Sequence, residues 1–182
     1  LTPIRQFSAE VQKAESHLFS VRPAYRFQRV LGTHADSDSF SGQNPTYGAL
    51  INYYQKDTLQ KTAELMVLTM QGDTLRKLRT VNKAGIQRTN WDLRPEPARL
   101  PKLRTKPRDK DWVELDKNGE RNIYPWDLDM QPGLNAPLVP AGKYRVVLIA
   151  NGKKQEQILE LRNDPNVKGN DADIQKQFSF GL

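Results

Sequence analysis

Cysteine is absent from all 182 residues. Disulfides, thiolate zinc sites and a cysteine nucleophile are excluded together. Histidine is nearly as scarce: the two residues, His17 and His34, share no His-x-x-x-His spacing and accompany no serine motif. Neither a zinc pair nor a Ser-His-Asp triad is indicated. Long apolar runs are missing as well. The stretch 146–150 is among the longest, far short of the roughly 20 residues that a helix needs to cross a bilayer, so no membrane span is expected. No N-glycosylation acceptor is usable, because Asn44-Pro45-Thr46 carries proline in the forbidden middle position. The chain starts at Leu1, and no basic stretch followed by an apolar one opens it. A processed product or a piece of a longer protein is therefore expected, with any export signal upstream.

Acidic residues are the minority charge, 21 against 28 Lys and Arg, which leaves a net charge of +7 and a pI near 9.6. Hydrophobic residues at 37 % and charged residues at 27 % suit one globular domain, with or without an appendage. Twelve prolines, eleven glycines and a mean hydropathy of −0.74 imply many loops. Composition alone names no activity and no cofactor.

Periodicity supplies the architecture. Ser8 ahead of Ala9-Glu10-Val11-Gln12-Lys13-Ala14 predicts an N-cap and a short helix over 9–17. Residues 24–30 alternate apolar and basic side chains, the period-2 pattern of a half-buried strand, and 32–45 reads as a loop. Strands are predicted from Tyr47 through Tyr54, over 63–68, over 74–79 after the Gln71-Gly72-Asp73 turn, and over 86–94, where Thr89, Trp91 and Leu93 share one face. Asp92 and Arg94 fall on the opposite face and are placed to pair. Near the end, 143–150 and 155–161 flank Asn151-Gly152, a strong two-residue hairpin signal. This spacing predicts an all-β fold, an antiparallel sandwich of immunoglobulin or fibronectin type, with short helices at both ends. The expected organisation is a lead-in over 1–40 that packs on the sandwich, the sandwich over 41–165, and a tail over 166–182 with a helix at 172–178 capped by Asp171. The apolar residues of that helix have little to pack on unless the chain folds back or continues.

An insertion at about 95–140 breaks the rhythm. Pro95, Pro97, Pro101 and Pro107 forbid a central strand. Residues 94–110 also hold seven basic side chains against Glu96 and Asp109, most of the excess charge of the molecule. A second Asn-Gly pair, Asn118-Gly119, predicts a small hairpin between 112–115 and 121–124.

Two blocks are more specific. Residues 65–68 and Gly72-Asp73-Thr74-Leu75-Arg76-Lys77-Leu78, then Ala84-Gly85-Ile86-Gln87-Arg88-Thr89-Asn90-Trp91-Asp92-Leu93-Arg94, then Pro140-Ala141-Gly142-Lys143-Tyr144-Arg145-Val146, resemble the pattern of bacterial FlgD-like, fibronectin-type sandwich domains. Pro3-Ile4-Arg5-Gln6, His17-Leu18-Phe19, Arg22-Pro23-Ala24-Tyr25-Arg26, Gly42-Gln43-Asn44-Pro45-Thr46-Tyr47-Gly48-Ala49 and Arg162-Asn163-Asp164-Pro165 resemble the region that follows the β-propeller in large secreted bacterial sortilin-like or sialidase-like glycosyl hydrolases. The likeness spans most of the chain. It departs in the basic insertion over 99–129 and in ending near Leu182, where those proteins continue as helix. The resemblance implies a non-catalytic accessory sandwich of an exported, secreted or periplasmic protein, with an upstream propeller of the same parent as partner. No Ser-x-Asp-x-Gly-x-Thr-Trp box occurs, so the sialidase label does not carry over, and such labels rest on fold analogy in any case.

Candidate chemistry is sparse. Trp91 is expected in the core rather than under a sugar. Trp112, Tyr124 and Trp126 are amphipathic rings on the insertion, suited to stacking on pyranose rings or docking on another domain, against the plainer reading of a satellite cluster that anchors the insertion. Arg99, Lys102, Arg104, Lys106 and Arg108 form a basic contact surface. They come without the aromatic-glycine motifs of an RNA module or a helix suited to the major groove, so nucleic acid is not the expected partner, although a polyanion is an alternative. A glycosidase needs two carboxylates across a scissile bond and a calcium site needs several oxygens. Asp127 with Asp129, and Asp109 with Asp111, are the pairs available, and neither pair resembles an EF-hand loop. A glycoside hydrolase with Asp127 or Asp129 as acid or nucleophile is the alternative from the enzyme class; the leading expectation has no catalytic residue and no metal.

Overall fold

Eight strands in two sheets account for the predicted alternation in the computed structural model, which describes residues 2–27, 45–58, 61–97, 102–121, 136–166 and 169–181. The first sheet has the order β1-β3-β6, formed by β1 (Ser16–Leu18), β3 (Ala49–Gln55) and β6 (Gly85–Trp91). The second has the order β2-β8-β7-β4-β5, from β2 (Ala24–Arg26), β8 (Lys153–Asn163), β7 (Gly142–Ala150), β4 (Glu64–Leu68) and β5 (Thr74–Leu78). The protein is thus mostly β, as its sequence implies. It is not purely antiparallel, because β2 runs parallel to β8, with Ala24 opposite Leu161 and Arg26 opposite Asn163. Between Leu18 and Ala24 the chain crosses from one sheet to the other, which delivers β2 to the free side of β8.

The lead-in consequently builds more than an outer layer. It supplies one strand to each sheet, and Leu18 and Phe19 are fully buried. The predicted helix at 9–17 is shorter than its propensity suggests. α2 (Ala9–Lys13) starts at Ser8, whose Oγ accepts from the Val11 N–H at 3.3 Å, but Ala14 is already extended and Ser16–Leu18 pair with Tyr53–Gln55. Sheet pairing has overridden helix propensity there. α1 (Thr2–Gln6) and α2 lie on the outer side of β3, where Phe7 meets Tyr54 edge-on at 5.2 Å and Val11 and Phe19 complete a small cluster.

A single cluster fills the space between the sheets. Ile51 and Tyr53 from β3 and Trp91 from β6 meet Leu65, Val67, Val146, Leu148, Leu159 and Leu161 from the second sheet, all nearly or fully removed from water. A buried side chain of this size is worth about 1.5–3 kcal/mol in apolar transfer alone, so this interlayer contact dominates the stability of the fold. Trp91 stands edge-on to Tyr144 at 5.6 Å and donates its indole N–H to the Arg94 carbonyl at 2.8 Å. Leu93 also enters the core, though by a left-handed turn (φ 63°) beyond the end of β6 rather than by strand alternation. The expected Asp92–Arg94 side-chain pair does not form. Asp92 accepts from the Arg94 backbone N–H, and the Arg94 guanidinium donates to the Ala136 carbonyl.

Side chains close the gaps where the two sheets curl toward each other. On one side, Gln155 of β8 accepts from the Leu18 N–H at 2.7 Å and donates to the Ser16 carbonyl at 2.9 Å, while Gln157 donates to the Leu18 carbonyl at 3.3 Å. The outward edge of β1 is satisfied without a neighbouring strand. On the other side, Thr89 donates to the Arg79 carbonyl at 3.0 Å, and the Tyr53 hydroxyl receives the Val81 N–H at 2.9 Å. Glu96 covers β5 in the same way: its own N–H reaches Leu75 O at 2.8 Å and its carboxylate receives the Lys77 N–H at 2.9 Å.

Two of the sequence blocks touch. Gly48 has φ +120°, and a Cβ there would lie 2.0 Å from the Trp91 carbonyl oxygen, so the Tyr47-Gly48-Ala49 stretch needs its glycine for close approach to the tryptophan block. Asn90 donates its side-chain amide to the Tyr47 carbonyl at 2.8 Å across the same contact. At the end of the chain, α3 (Asp171–Phe180) is capped by Asn170, which accepts from the Ala172 N–H at 2.9 Å; Asp171, the expected cap, is the first helical residue. The helix folds back, and Phe178 packs against the main core while Phe180 stays exposed.

Candidate functional site

Residues 102–121 form an excursion with no strand ladder of its own. Leu103 and Arg121 exchange both backbone hydrogen bonds, at 2.9 and 2.8 Å, and close its base. The Asn118-Gly119 turn is present. Asp116 and Glu120 bracket it, the Gly119 N–H reaches Asp116 O at 2.9 Å, and Gly119 takes the left-handed φ of 72° that such a three-residue loop requires. The predicted partners are wrong, however: Arg121 pairs with Leu103, and 112–115 are not a strand. Polar capture explains the difference, since the Asp116 carboxylate accepts from the N–H groups of Asn118 at 2.8 Å and Glu120 at 3.0 Å. Those two bonds, Glu120 first, hold the Asp116 carboxyl below its usual range, with the Lys102 charge adding a smaller effect.

The basic surface is partly neutralised within the excursion. Lys102 lies 3.2 Å from Glu120 and 3.9 Å from Asp116, and Arg104 lies 3.5 Å from the other Glu120 oxygen. Lys106 donates to the Asp111 carbonyl at 3.2 Å, and Arg108 is exposed. Over 94–121 nine basic residues face six acidic ones, so the excess of five over 94–110 falls to three once the rest of the excursion is counted with it. Trp112 is 63 % exposed, with the Lys110 ammonium 5.5 Å from its ring centroid. Arg99, Tyr124 and Trp126 lie outside the described residues, as do Asp127, Asp129 and His34. Of the three aromatic candidates, Trp112 alone is placed, at the surface and away from the main core. His17 is a packing residue: it meets Phe19 edge-on at 5.0 Å, and burial pushes its pKa down.

A second region was not singled out by motif or composition. At the end of the sandwich, where β2 and β8 meet α3, there is an open groove of about 390 Å³ lined by Arg26, Phe27, Arg94, Asn163, Ile174 and Phe178, among others. Asn163 donates to the Asp171 carboxylate at 2.6 Å, which turns its amide oxygen the other way. That oxygen and the Arg26 Nε–H are both shielded from solvent and have no hydrogen-bond partner among the described residues. Close by, burial raises the Tyr144 phenol to about 12, against the opposing pull of the Arg26 charge. Arg26, Arg94 and Asn163 come from three distant stretches of chain, each inside a block quoted above for its family likeness. That coincidence was the available signal.

No protein-family model matches the chain, and neither the curated proteins nor the solved structures contain a match.

Proposed function

We propose that this chain is a non-catalytic accessory β-sandwich of immunoglobulin or fibronectin type, appended to an exported β-propeller parent, whose excursion around Trp112 contacts carbohydrate. The sandwich type is supported by strand order. With β1 to β8 read as strands A, A′, B, C, C′, E, F and G, the sheets become ABE and A′GFCC′, and the parallel β2–β8 pair is the A′–G pairing of such domains. Tyr144 adds to it, since it sits near the start of the strand read as F and its hydroxyl donates to the Pro140 carbonyl four residues upstream at 2.6 Å, as in a tyrosine corner.

The observation that carries the function is the exposure of Trp112. A tryptophan left 63 % open on a polar excursion keeps most of its amphipathic ring at the surface, a ring of the kind that stacks on a pyranose. The test is affinity electrophoresis of the intact chain in gels containing soluble polysaccharides, with Trp112→Ala and Trp126→Ala in parallel. Retention by at least one neutral glycan, lost in Trp112→Ala, is expected. Absence of retention on every glycan removes the reading; protection of 102–121 from hydrogen exchange by a co-expressed propeller then assigns the same surface to domain docking.

A further inference from the structure

We infer that the groove between β2, β8 and α3 binds a hydroxylated carboxylate, the chemistry of a uronic acid. Two arginines, Arg26 at the end of β2 and Arg94 in the turn that follows β6, line one concave surface, and neither has its full set of donors engaged. Arg26 keeps a buried Nε–H without a partner among the described residues, and Arg94 spends one terminal N–H on the Ala136 carbonyl. Guanidinium donors in a fork fit a carboxylate better than any neutral acceptor. A bare carboxylate leaves the Asn163 amide oxygen unanswered, because that oxygen needs a donor and its amide nitrogen is already committed to Asp171. A ligand that carries a hydroxyl beside its carboxylate supplies both. Phe27, Ile174 and Phe178 give the remaining wall an apolar face for the carbon skeleton of a ring. Both atoms are closed off from water, so a ligand reaches them only as the lining side chains move aside, and it then pairs a donor and an acceptor that have no other partner among the described residues. Asp164, also at the groove, accepts the backbone N–H of Asn166 at 2.8 Å and its side-chain amide at 3.0 Å, both on Oδ1.

This shares the glycan-binding reading but not its surface, so the two fail separately. Sodium glucuronate is titrated into the full chain and followed by two-dimensional amide NMR, with glucose and sodium acetate as probes that lack the carboxylate and the hydroxyls respectively. Saturable shifts at Phe27, Asn163 and Ile174 with glucuronate, weak or absent with either control, are expected. Arg26→Gln is expected to weaken binding at least about tenfold, the loss of one charge-assisted hydrogen bond. Should that variant unfold, Arg94→Gln is the second probe, and Trp112→Ala is expected to leave the titration unchanged. Polygalacturonate perturbing the same resonances assigns the source to a polymer; a response to glucuronate alone assigns it to a free hydroxy acid. Equal shifts with acetate, no response to either uronate, or binding unaltered in a folded arginine variant overturns the proposal.

Discussion

The chain contains two Asn-Gly turns, and they have different fates. Asn151-Gly152, with φ of 49° and 73°, joins strands of nine and eleven residues that register without interruption from Ala150–Lys153 down to Gly142–Leu161. Asn118-Gly119 closes a loop whose backbone pairing passes to Leu103. The difference lies in the flanks. Tyr144, Val146, Leu148 and Ala150 alternate into a core shared with the other sheet, so lengthening this ladder also buries apolar surface. Around the second turn Trp112, Val113 and Leu115 do not join the core between the sheets, and Asp116 binds the backbone amides locally. A turn signal starts a hairpin; a buried face is what extends it.

That contrast predicts which changes the fold feels. The largest effect belongs to Trp91→Ala, which removes a fully buried indole at the contact of both sheets and is expected to cost about 3–5 kcal/mol in urea unfolding. A loss of less than 1 kcal/mol would mean that the sandwich is not stabilised through this corner. Alkaline titration comes next. Tyr144 binds its proton more tightly folded, near 12, than unfolded, near 10, so between those values the unfolded state has fewer protons bound and stability falls as pH rises. About 2–3 kcal/mol is expected to be lost by pH 12, read from denaturation midpoints, and Tyr144→Phe is expected to remove that pH-dependent component. Gly48→Ala follows, because its positive φ and the 2.0 Å approach to the Trp91 carbonyl leave no room for a methyl; a destabilisation of more than about 1 kcal/mol is expected, whereas Gly119→Ala meets no atom within 4 Å and suffers from its φ alone. At the bottom of the scale, Trp112→Ala and Asp116→Ala are expected to move the global unfolding midpoint by no more than about 0.5 kcal/mol. A larger shift in either would couple the excursion to the sandwich and undo the distinction between the two turns. Faster hydrogen exchange at Asn118 and Glu120 in Asp116→Ala would sharpen it.

Much of the sandwich was legible because its strands follow the period-2 rule against a common core. β4, β5, β7 and β8 fall close to their predicted positions, and Trp91 is buried as expected. The short elements were not. β1 was hidden inside a helix signal, since three residues cannot announce a strand, and its outward edge is completed by Gln155 and Gln157 from 137 to 139 positions away. The basic insertion was read as a charged stripe because composition counts charges along the chain, whereas Glu120 answers Lys102 and Arg104 across a turn. The groove escaped for the same reason: Arg26, Arg94 and Asn163 look like ordinary polar residues until three remote segments meet.

By itself, the amino-acid sequence determined the all-β character, the Asn151-Gly152 hairpin, the Ser8 helix cap and the exclusion of every thiol chemistry. These depend on side-chain periodicity, local turn geometry or residue identity, and all of them act over a few residues. Only the tertiary structure decided the division of the lead-in between two sheets, the parallel β2–β8 pair, the pairing of Lys102 and Arg104 with Glu120 and the arginine-lined groove. Each of these is a meeting of groups far apart in the chain, and such meetings are selected by the one arrangement that buries the apolar faces together while leaving few polar groups unpaired.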